Sequence, residues 1–131
     1  MPKISMSSTD VQDHGPVKEW AADMGGYTVN LVRFEQDIDG APMLRLLPTG
    51  KCECPHWGYV LNGRHRFTFD DHVEVFEAGD AFYVAGGHTP AADAGTVMVL
   101  FSPADELRAT ADALNAGARA LSQTGAPPLG G

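Results

Sequence analysis

The chain has 131 residues, of which 44% are hydrophobic and 20% are charged, and these values are typical of one globular domain. Its formal net charge of −8 argues against binding to nucleic acid or to an anionic membrane surface. The N-terminus carries no apolar segment like that of a secretion signal, and no apolar run is as long as a transmembrane helix. These features predict a soluble protein that binds neither nucleic acid nor membranes.

The two ends of the chain differ in composition from its middle. Residues 1–15 are polar and rich in Ser and Asp, so we expect a flexible N-terminal arm. Residues 124–131 are rich in Gly and Pro, which predicts a disordered tail. The folded part is therefore expected between residues 16 and 123.

Short segments with strand character follow one another from residue 27 to residue 101. They are rich in β-branched and aromatic side chains and are separated by turn signals. The predicted strands are Tyr27–Phe34, Met43–Leu47, Trp57–Leu61, Arg64–Phe69, His72–Phe76, Ala81–Val84 and Val97–Phe101. Many short strands at even spacing predict an all-β sandwich or barrel, here over residues 16–103.

Some of these strands carry more specific expectations. Asn62-Gly63 is the kind of dipeptide most typical of a tight hairpin. Val97–Phe101 is continuously apolar, which is consistent with a strand buried on both faces. Trp57 and Tyr59 should point outward, and we expect them to pack against a helix or a second subunit.

One helix is predicted over residues 104–123. Ser102 is suited to cap its N-terminus, and Pro103 is suited to its first position. Apolar residues then recur at spacings of three and four and form a narrow stripe, namely Leu107, Ala111, Leu114, Ala118 and Leu121. The stripe could dock on the barrel or on a partner helix, and we favour the barrel.

Two cysteines and a histidine form the first cluster of chemically active side chains. Cys52, Cys54 and His56 are spaced two residues apart, so in an extended strand they would lie on one face. Thiolates and imidazoles are ligands that suit zinc, copper or iron, although a free cysteine is also a common core residue. A disulfide between the two cysteines would be strained, so reduced thiols and a cytoplasmic setting fit better.

A second candidate ligand follows the predicted strand Ala81–Val84. There the pair Gly86-Gly87 predicts a tight turn that presents His88. His88 alone could be a surface residue of a turn. Its role as a ligand requires that the Cys52–His56 segment lies close to it.

These segments together resemble the cupin superfamily, in particular small single-domain bacterial cupins. The resemblance rests on His56-Trp57-Gly58-Tyr59-Val60-Leu61-Asn62-Gly63-Arg64, then Gly79-Asp80, and then Gly86-Gly87-His88-Thr89-Pro90. It implies a jelly-roll β-barrel with a metal at its centre, often in a homodimer. A small-molecule ligand within the barrel is the expected partner.

The sequence departs from the usual cupin motifs at the ligand positions. The usual first motif has a His-x-His pair and then a Glu ligand, and here His56 stands at the Glu position while Lys51, Cys52 and Cys54 replace the pair. His88 comes two residues earlier than the usual second-motif histidine. The predicted set of Cys52, Cys54, His56 and His88 favours one divalent transition metal, with zinc first and copper or iron as alternatives.

Three further residues are candidates for binding a substrate. His65 shares a strand face with Phe67 and should point into the barrel, where it is either a core histidine or a proton shuttle. Tyr27 and Arg33 lie on an early strand and could anchor an anionic ligand, although arginines on strands are usually solvated.

Two functional hypotheses remain open from the sequence. The first is a metal-dependent enzyme of oxygenase, isomerase or lyase type, which acts on a small organic molecule within the barrel. The second is a non-catalytic module that binds or senses a small molecule and holds a structural metal or no metal. The sequence assigns no catalytic residue.

Overall fold

The computed structural model describes residues 2–123, and the predicted disordered tail lies outside them. Within these residues the strands are β1 Gln12–Asp13, β2 Val17–Met24, β3 Tyr27–Phe34, β4 Ile38–Asp39, β5 His56–Asn62, β6 Arg64–Thr68, β7 Val73–Glu77, β8 Ala81–Val84, β9 Thr89–Ala92 and β10 Val97–Pro103. The helices are α1 Ala41–Leu44 and α2 Ala104–Gln123. None of the described helices is both long enough and apolar enough to cross a membrane.

The strands form two antiparallel sheets. The large sheet has the order β1-β2-β3-β10-β5-β8, and the small sheet has the order β4-β9-β6-β7. Neighbours in each sheet are mostly distant in sequence, as when β10 pairs with both β3 and β5. The prediction of an all-β fold followed by a C-terminal helix is confirmed.

The core lies between the two sheets, because alternate residues of each strand point inward. Its buried residues are Val32, Val60, Phe67, Phe82, Val84 and Met98. The rings of Phe76 and Phe82 stack with centroids 4.3 Å apart. Aromatic rings thus fill much of the space between the sheets.

The predicted hairpin at Asn62-Gly63 is wrong, because β5 and β6 belong to different sheets. Gly63 has φ +81°, and a Cβ atom at this position would collide with Thr96. Only glycine accepts this backbone conformation so close to another chain segment. The dipeptide therefore forms a corner at which the chain passes from the large sheet to the small one.

The predicted strand Met43–Leu47 is also wrong, since its first half belongs to the short helix α1. Pro42 stands in the first turn, where a missing N–H costs nothing. Leu44 and Leu47 are both buried, and their spacing of three residues is that of a helical turn. This segment forms a second small core with Cys52 and Cys54.

Helix α2 docks on its own barrel, as the sequence favoured. Leu107, Ala113 and Leu114 pack against the second small core. Ala111 and Ala118, which belong to the predicted stripe, are exposed. The helix does not begin at Ser102, because Ser102 and Pro103 still belong to β10.

One further expectation differs from the structure. Val97–Phe101 is not buried on both faces, since Met98 is fully buried while Phe101 is 43% exposed on the opposite face.

Within the predicted N-terminal arm, Gln12 and Asp13 pair with Glu19 and Lys18 of β2. This pairing makes β1 an edge strand of the large sheet.

Candidate metal centre

The candidate centre forms where two segments meet at one end of the barrel. Cys52 makes an isolated antiparallel bridge with His88, in which the Cys52 N–H donates to the carbonyl oxygen of His88 at 2.8 Å. The Gly87 N–H in turn donates to the carbonyl oxygen of Cys52 at 2.8 Å. His56 enters the same space as the first residue of β5. The backbone therefore fixes all three residues before any ion binds.

The close approach of these segments requires glycine at position 86. A Cβ atom there would overlap the carbonyl oxygen of Glu53, which is a backbone atom. Glycine is the residue that allows such an approach between two backbones. The Gly86-Gly87 pair predicted as a turn thus serves to seat His88 beside Cys52.

Three ligand atoms converge at this point. One ligand atom each from Cys52, His56 and His88 lies within 4.8 Å of the other two. The Cys52 Sγ atom is 3.8 Å from His56 Nε2. Donor atoms bound to one ion at about 2.0–2.3 Å lie roughly 3–4 Å apart. The cluster therefore needs only a small contraction to hold a transition-metal ion.

Hydrogen bonds orient both imidazoles. His88 Nδ1 donates to the carbonyl oxygen of Ala85 at 2.7 Å, which leaves Nε2 as the unprotonated nitrogen when the ring is neutral. His56 Nδ1 lies 2.7 Å from Ser102 Oγ, which leaves its Nε2 facing Cys52. Ligating histidines typically have their second nitrogen held by such a partner. The donor set fits a transition-metal ion in this respect.

Burial sets the protonation state of the three groups. It lowers the pKa of His56 to about 4, with His88 as a second cause. Burial also lowers the pKa of His88. The same effect raises the pKa of the Cys52 thiol. At neutral pH the imidazoles are therefore neutral and able to ligate, whereas an ion must displace the proton of the thiol.

Cys54 lies apart from this cluster, although it was predicted as a ligand. Its Sγ atom is 3.4 Å from the carbonyl oxygen of Pro55, and its side chain packs in the second small core. Burial raises the pKa of its thiol to about 12, with Cys52 and Glu106 as further causes. Pro55 interrupts the strand ahead of β5, so the expected alternation from Cys52 to His56 does not hold.

His65 faces the barrel interior, as its pattern predicted, but it does not belong to the cluster. It is 3% exposed, and its ring lies 4.4 Å from that of Phe67. Its Nδ1 atom has no hydrogen-bond partner among the described residues. Burial lowers the pKa of His65 to about 3. A buried polar atom without a partner is costly, so this position suits the binding of a polar group.

Tyr27 and Arg33, the other predicted substrate-binding residues, lie on the outer face of the large sheet. Tyr27 is 42% exposed and meets the edge of Trp57 at 6.1 Å. The Arg33 guanidinium lies over Trp20, and its Nε donates to a Glu35 carboxylate oxygen at 3.0 Å. Neither side chain therefore lies beside the metal cluster.

Ser102 is the site residue that sequence reasoning missed, because it was interpreted as a helix cap. It is 1% exposed and lies on the same face of β10 as Met98. The period of two along this strand could have placed it inward. Its pairing with His56 joins residues 46 positions apart, and no local pattern contains that information.

The chain matches no protein-family model and no curated protein. It is similar in structure to KdgF from Halomonas sp., with a TM-score of 0.58 and 20% identity over 79% of this chain and 94% of that one. An RmlC-like cupin from Shewanella frigidimarina gives a TM-score of 0.52 and 20% identity over 76% of this chain and 87% of that one. The polyketide cyclase RemF from Streptomyces resistomycificus gives 0.57 and 13% over 79% of each chain.

These similarities show that the chain has the cupin jelly-roll fold, which confirms the resemblance seen in the sequence. At identities of 20% and below they show the fold alone.

Proposed function

We propose that this small cupin binds one divalent transition-metal ion through Cys52, His56 and His88. The observation that carries the proposal is the convergence of their ligand atoms within 4.8 Å of one another in a buried site. Both imidazoles have their Nδ1 atom held by an oxygen, which leaves Nε2 as the nitrogen available to an ion, and His56 Nε2 lies 3.8 Å from Cys52 Sγ. An ion bound there would take the place of the thiol proton.

The donor set favours zinc or copper. It combines one thiolate with two imidazoles, and no carboxylate joins it among the described residues. Non-haem iron sites use two histidines and a carboxylate, whereas thiolate and imidazole ligands select zinc or copper. When bound, such an ion supplies Lewis acidity, or one-electron chemistry if it is copper.

Elemental analysis tests this proposal directly. Protein purified without added metal, and then dialysed with zinc, is expected to hold about one equivalent of metal. His88→Ala should abolish tight binding, whereas His72→Ala should not, because His72 lies on the surface outside the cluster. Absence of metal in the wild type, before and after dialysis, would exclude the proposal.

A second candidate function is catalysis on a small organic molecule within the barrel. His65 favours it, since its buried Nδ1 atom lacks a partner and could position a polar group of a substrate. The related fold of RemF, described as a polyketide cyclase, is compatible with such a function. The burial of the proposed ligands argues against catalysis, since Cys52 and His56 are each 7% exposed and His88 is 1% exposed.

A coordination position on the metal that is open to solvent would distinguish a metal-dependent enzyme from a barrel that holds a structural metal. Azide added to the cobalt-substituted protein should shift its visible spectrum only if such a position can be reached from solvent. A shift that is lost in His65→Phe supports the binding of small molecules next to the metal. A spectrum that azide leaves unchanged supports the structural role.

A further inference from the structure

The cluster of Cys52, His56 and His88 lies behind protein on every side that its neighbours define. All three residues are buried, and the backbone holds them in place before an ion binds. A buried metal site needs an entry path, so a solute that reaches the cluster has to displace one of the parts of the chain packed around it. Three such walls can be distinguished by the contacts that hold them.

Two of the walls are firmly held. On the side of His56 lies the large sheet, in which β5 is hydrogen-bonded to both β10 and β8. On the side of Cys52 lies the second small core, whose buried residues pack against helix α2. Opening either wall would separate paired strands or expose packed apolar side chains, and both changes are costly.

The third wall, on the side of His88, is the turn of residues 69–72 that joins β6 to β7. β6 pairs with β9 as far as Thr68 and Thr89, so the turn begins beside the residue that follows His88. The Phe69 ring meets the His88 ring in a T-shaped arrangement, with centroids 6.1 Å apart. All residues of the turn except Phe69 are exposed.

Few contacts hold this turn in place. The Phe69 N–H donates to the carbonyl oxygen of His72 at 2.8 Å, and the rings of these two residues stack with centroids 4.5 Å apart. Among the described residues, the ion pair between Asp70 and Lys51 is its one salt bridge to a segment other than β6 and β7. Exposed segments with few buried contacts open most readily, so the turn is the wall that is easiest to displace.

The ion pair between Lys51 and Asp70 spans the segment that carries His88. On one side of this segment Cys52, which follows Lys51, forms a β-bridge with His88. On the other side β9 pairs with β6, which leads into Asp70. The ion pair therefore reaches from one side of the segment to the other and ties the turn to the chain beside Cys52.

Charge favours the approach of a cation on this side of the cluster. Burial lowers the pKa of His88, and the carboxylates of Glu53 and Glu74 are among the groups that act against this effect. Both carboxylates therefore lie near enough to influence the His88 ring. Glu74 Oε2 lies 3.2 Å from His72 Nε2, at the end of the turn. Carboxylates beside a buried site raise the local concentration of cations.

We propose that the turn of residues 69–72, held by the Lys51–Asp70 ion pair, is the gate through which metal ions and small solutes reach the buried cluster. The inference rests on the proposed metal site for the nature of the ion, whereas the walls themselves are present without it. A gate changes the rates of binding and release by the same factor and leaves the affinity unchanged. Loss of one exposed ion pair should shift the opening equilibrium about two- to fivefold.

Alkylation of the Cys52 thiol by iodoacetamide tests the gate in the metal-free protein. A Cys54→Ser background leaves one thiol in the chain. In this background Asp70→Asn and Lys51→Met should each accelerate alkylation about two- to fivefold, because each breaks the ion pair that holds the turn. The two changes alter the local charge in opposite directions, so a shift in the ionisation of the thiol cannot accelerate both reactions.

Asp13→Asn is the matched control for these variants. It makes the same change of charge and also breaks an ion pair, with Lys18, but it lies on β1 at the edge of the large sheet. Its alkylation rate should equal that of the Cys54→Ser background. Equal rates in the background and in Asp70→Asn would overturn the gate, and so would acceleration in only one of Asp70→Asn and Lys51→Met, or an equal acceleration in Asp13→Asn.

Transfer of zinc to a chromophoric chelator gives a second readout in the chain with both cysteines. Asp70→Asn should bind and release zinc faster by the same factor and keep the affinity of the wild type. A lower affinity with an unchanged association rate would show that Asp70 shapes the site, and this result would overturn the gate. A wild type that binds no zinc would refute the metal proposal, and the alkylation rates would then decide on the gate alone.

Discussion

Ser102 determines the orientation of His56, and so it contributes to the candidate centre without being a ligand. Its hydroxyl and His56 Nδ1 are 2.7 Å apart, and both residues are buried. Partners of this kind fix the ring of a ligating histidine and the nitrogen that it presents. Positioning residues should therefore be sought on β10, which is the strand paired with β5, and β5 begins at His56.

Replacing Ser102 by alanine should weaken metal binding about 10–100-fold, because His56 loses the partner of its Nδ1 atom. Competition with a chromophoric zinc chelator measures the change in affinity. Ser122→Ala is the control, since Ser122 is exposed on α2. An affinity equal to that of the wild type would show that Ser102 does not orient the ring.

At the residue scale the sequence predicted part of the cluster. His56 and His88 could be found from motif position and from the glycine turn, and Cys52 could be found from its spacing to His56. The same spacing grouped Cys54 with them, and the structure places Cys54 in the second small core. A spacing rule holds only along a continuous strand, and Pro55 ends that continuity.

The element that positions the ligands is the turn of residues 85–88 against the segment that holds Cys52. Gly86→Ala should displace this turn, since its Cβ atom would overlap the Glu53 backbone, which cannot rotate away. We expect metal affinity to fall at least about tenfold, which corresponds to 1.4 kcal/mol. Isothermal titration with zinc measures it.

Ala85→Ser is the control for this change, because Ala85 is exposed in the same turn and a small polar side chain fits there. Its affinity should match that of the wild type. Equal affinities in Gly86→Ala and the wild type would contradict the role given to the close approach.

The sequence predicted most strands but not their partners. β3 has the predicted limits Tyr27–Phe34, because its pattern of β-branched and aromatic residues is local. The corner at Gly63 could not be told from a hairpin, since its conformation is explained by contact with Thr96, 33 residues away. The apolar segment 43–47 gave the wrong element because short apolar runs fit a strand or a helix equally well.

At the scale of the whole molecule, the buried histidines link stability to pH. His65 has a pKa of about 3 when folded, lowered by burial from its ordinary 6.5. Between these values the unfolded chain binds a proton that the folded chain does not, so stability falls as pH drops through this window.

Proton binding by His65 in the unfolded chain should therefore lower the free energy of unfolding of the metal-free protein by about 2 kcal/mol when the pH falls from 7 to 5. Replacing His65 by leucine, which suits the apolar interior, should remove that part of the pH dependence. Urea unfolding of the wild type and of His65→Leu at both pH values gives the comparison. Equal losses of stability in the two proteins would show that His65 is already free to bind a proton in the folded state.

The cupin fold could be predicted from the sequence because its motifs fall on turns and strand ends, where local chemistry dictates the backbone. The exposure on the outer face of the large sheet could not be predicted from the sequence. Val97–Phe101 has the composition of a strand buried on both sides, yet Phe101 is 43% exposed and the other outward residues are only half-buried.

We propose that Cys52, and not Cys54, is the sulfur ligand that binds a metal together with His56 and His88. Cobalt(II) bound to a thiolate gives an intense charge-transfer absorption, so titration of the metal-free protein with cobalt reports the sulfur ligand. We expect the band at one equivalent in the wild type and in Cys54→Ser, and its loss in Cys52→Ser. A band that persists in Cys52→Ser, or that disappears in Cys54→Ser, would show that Cys52 is not the sulfur ligand.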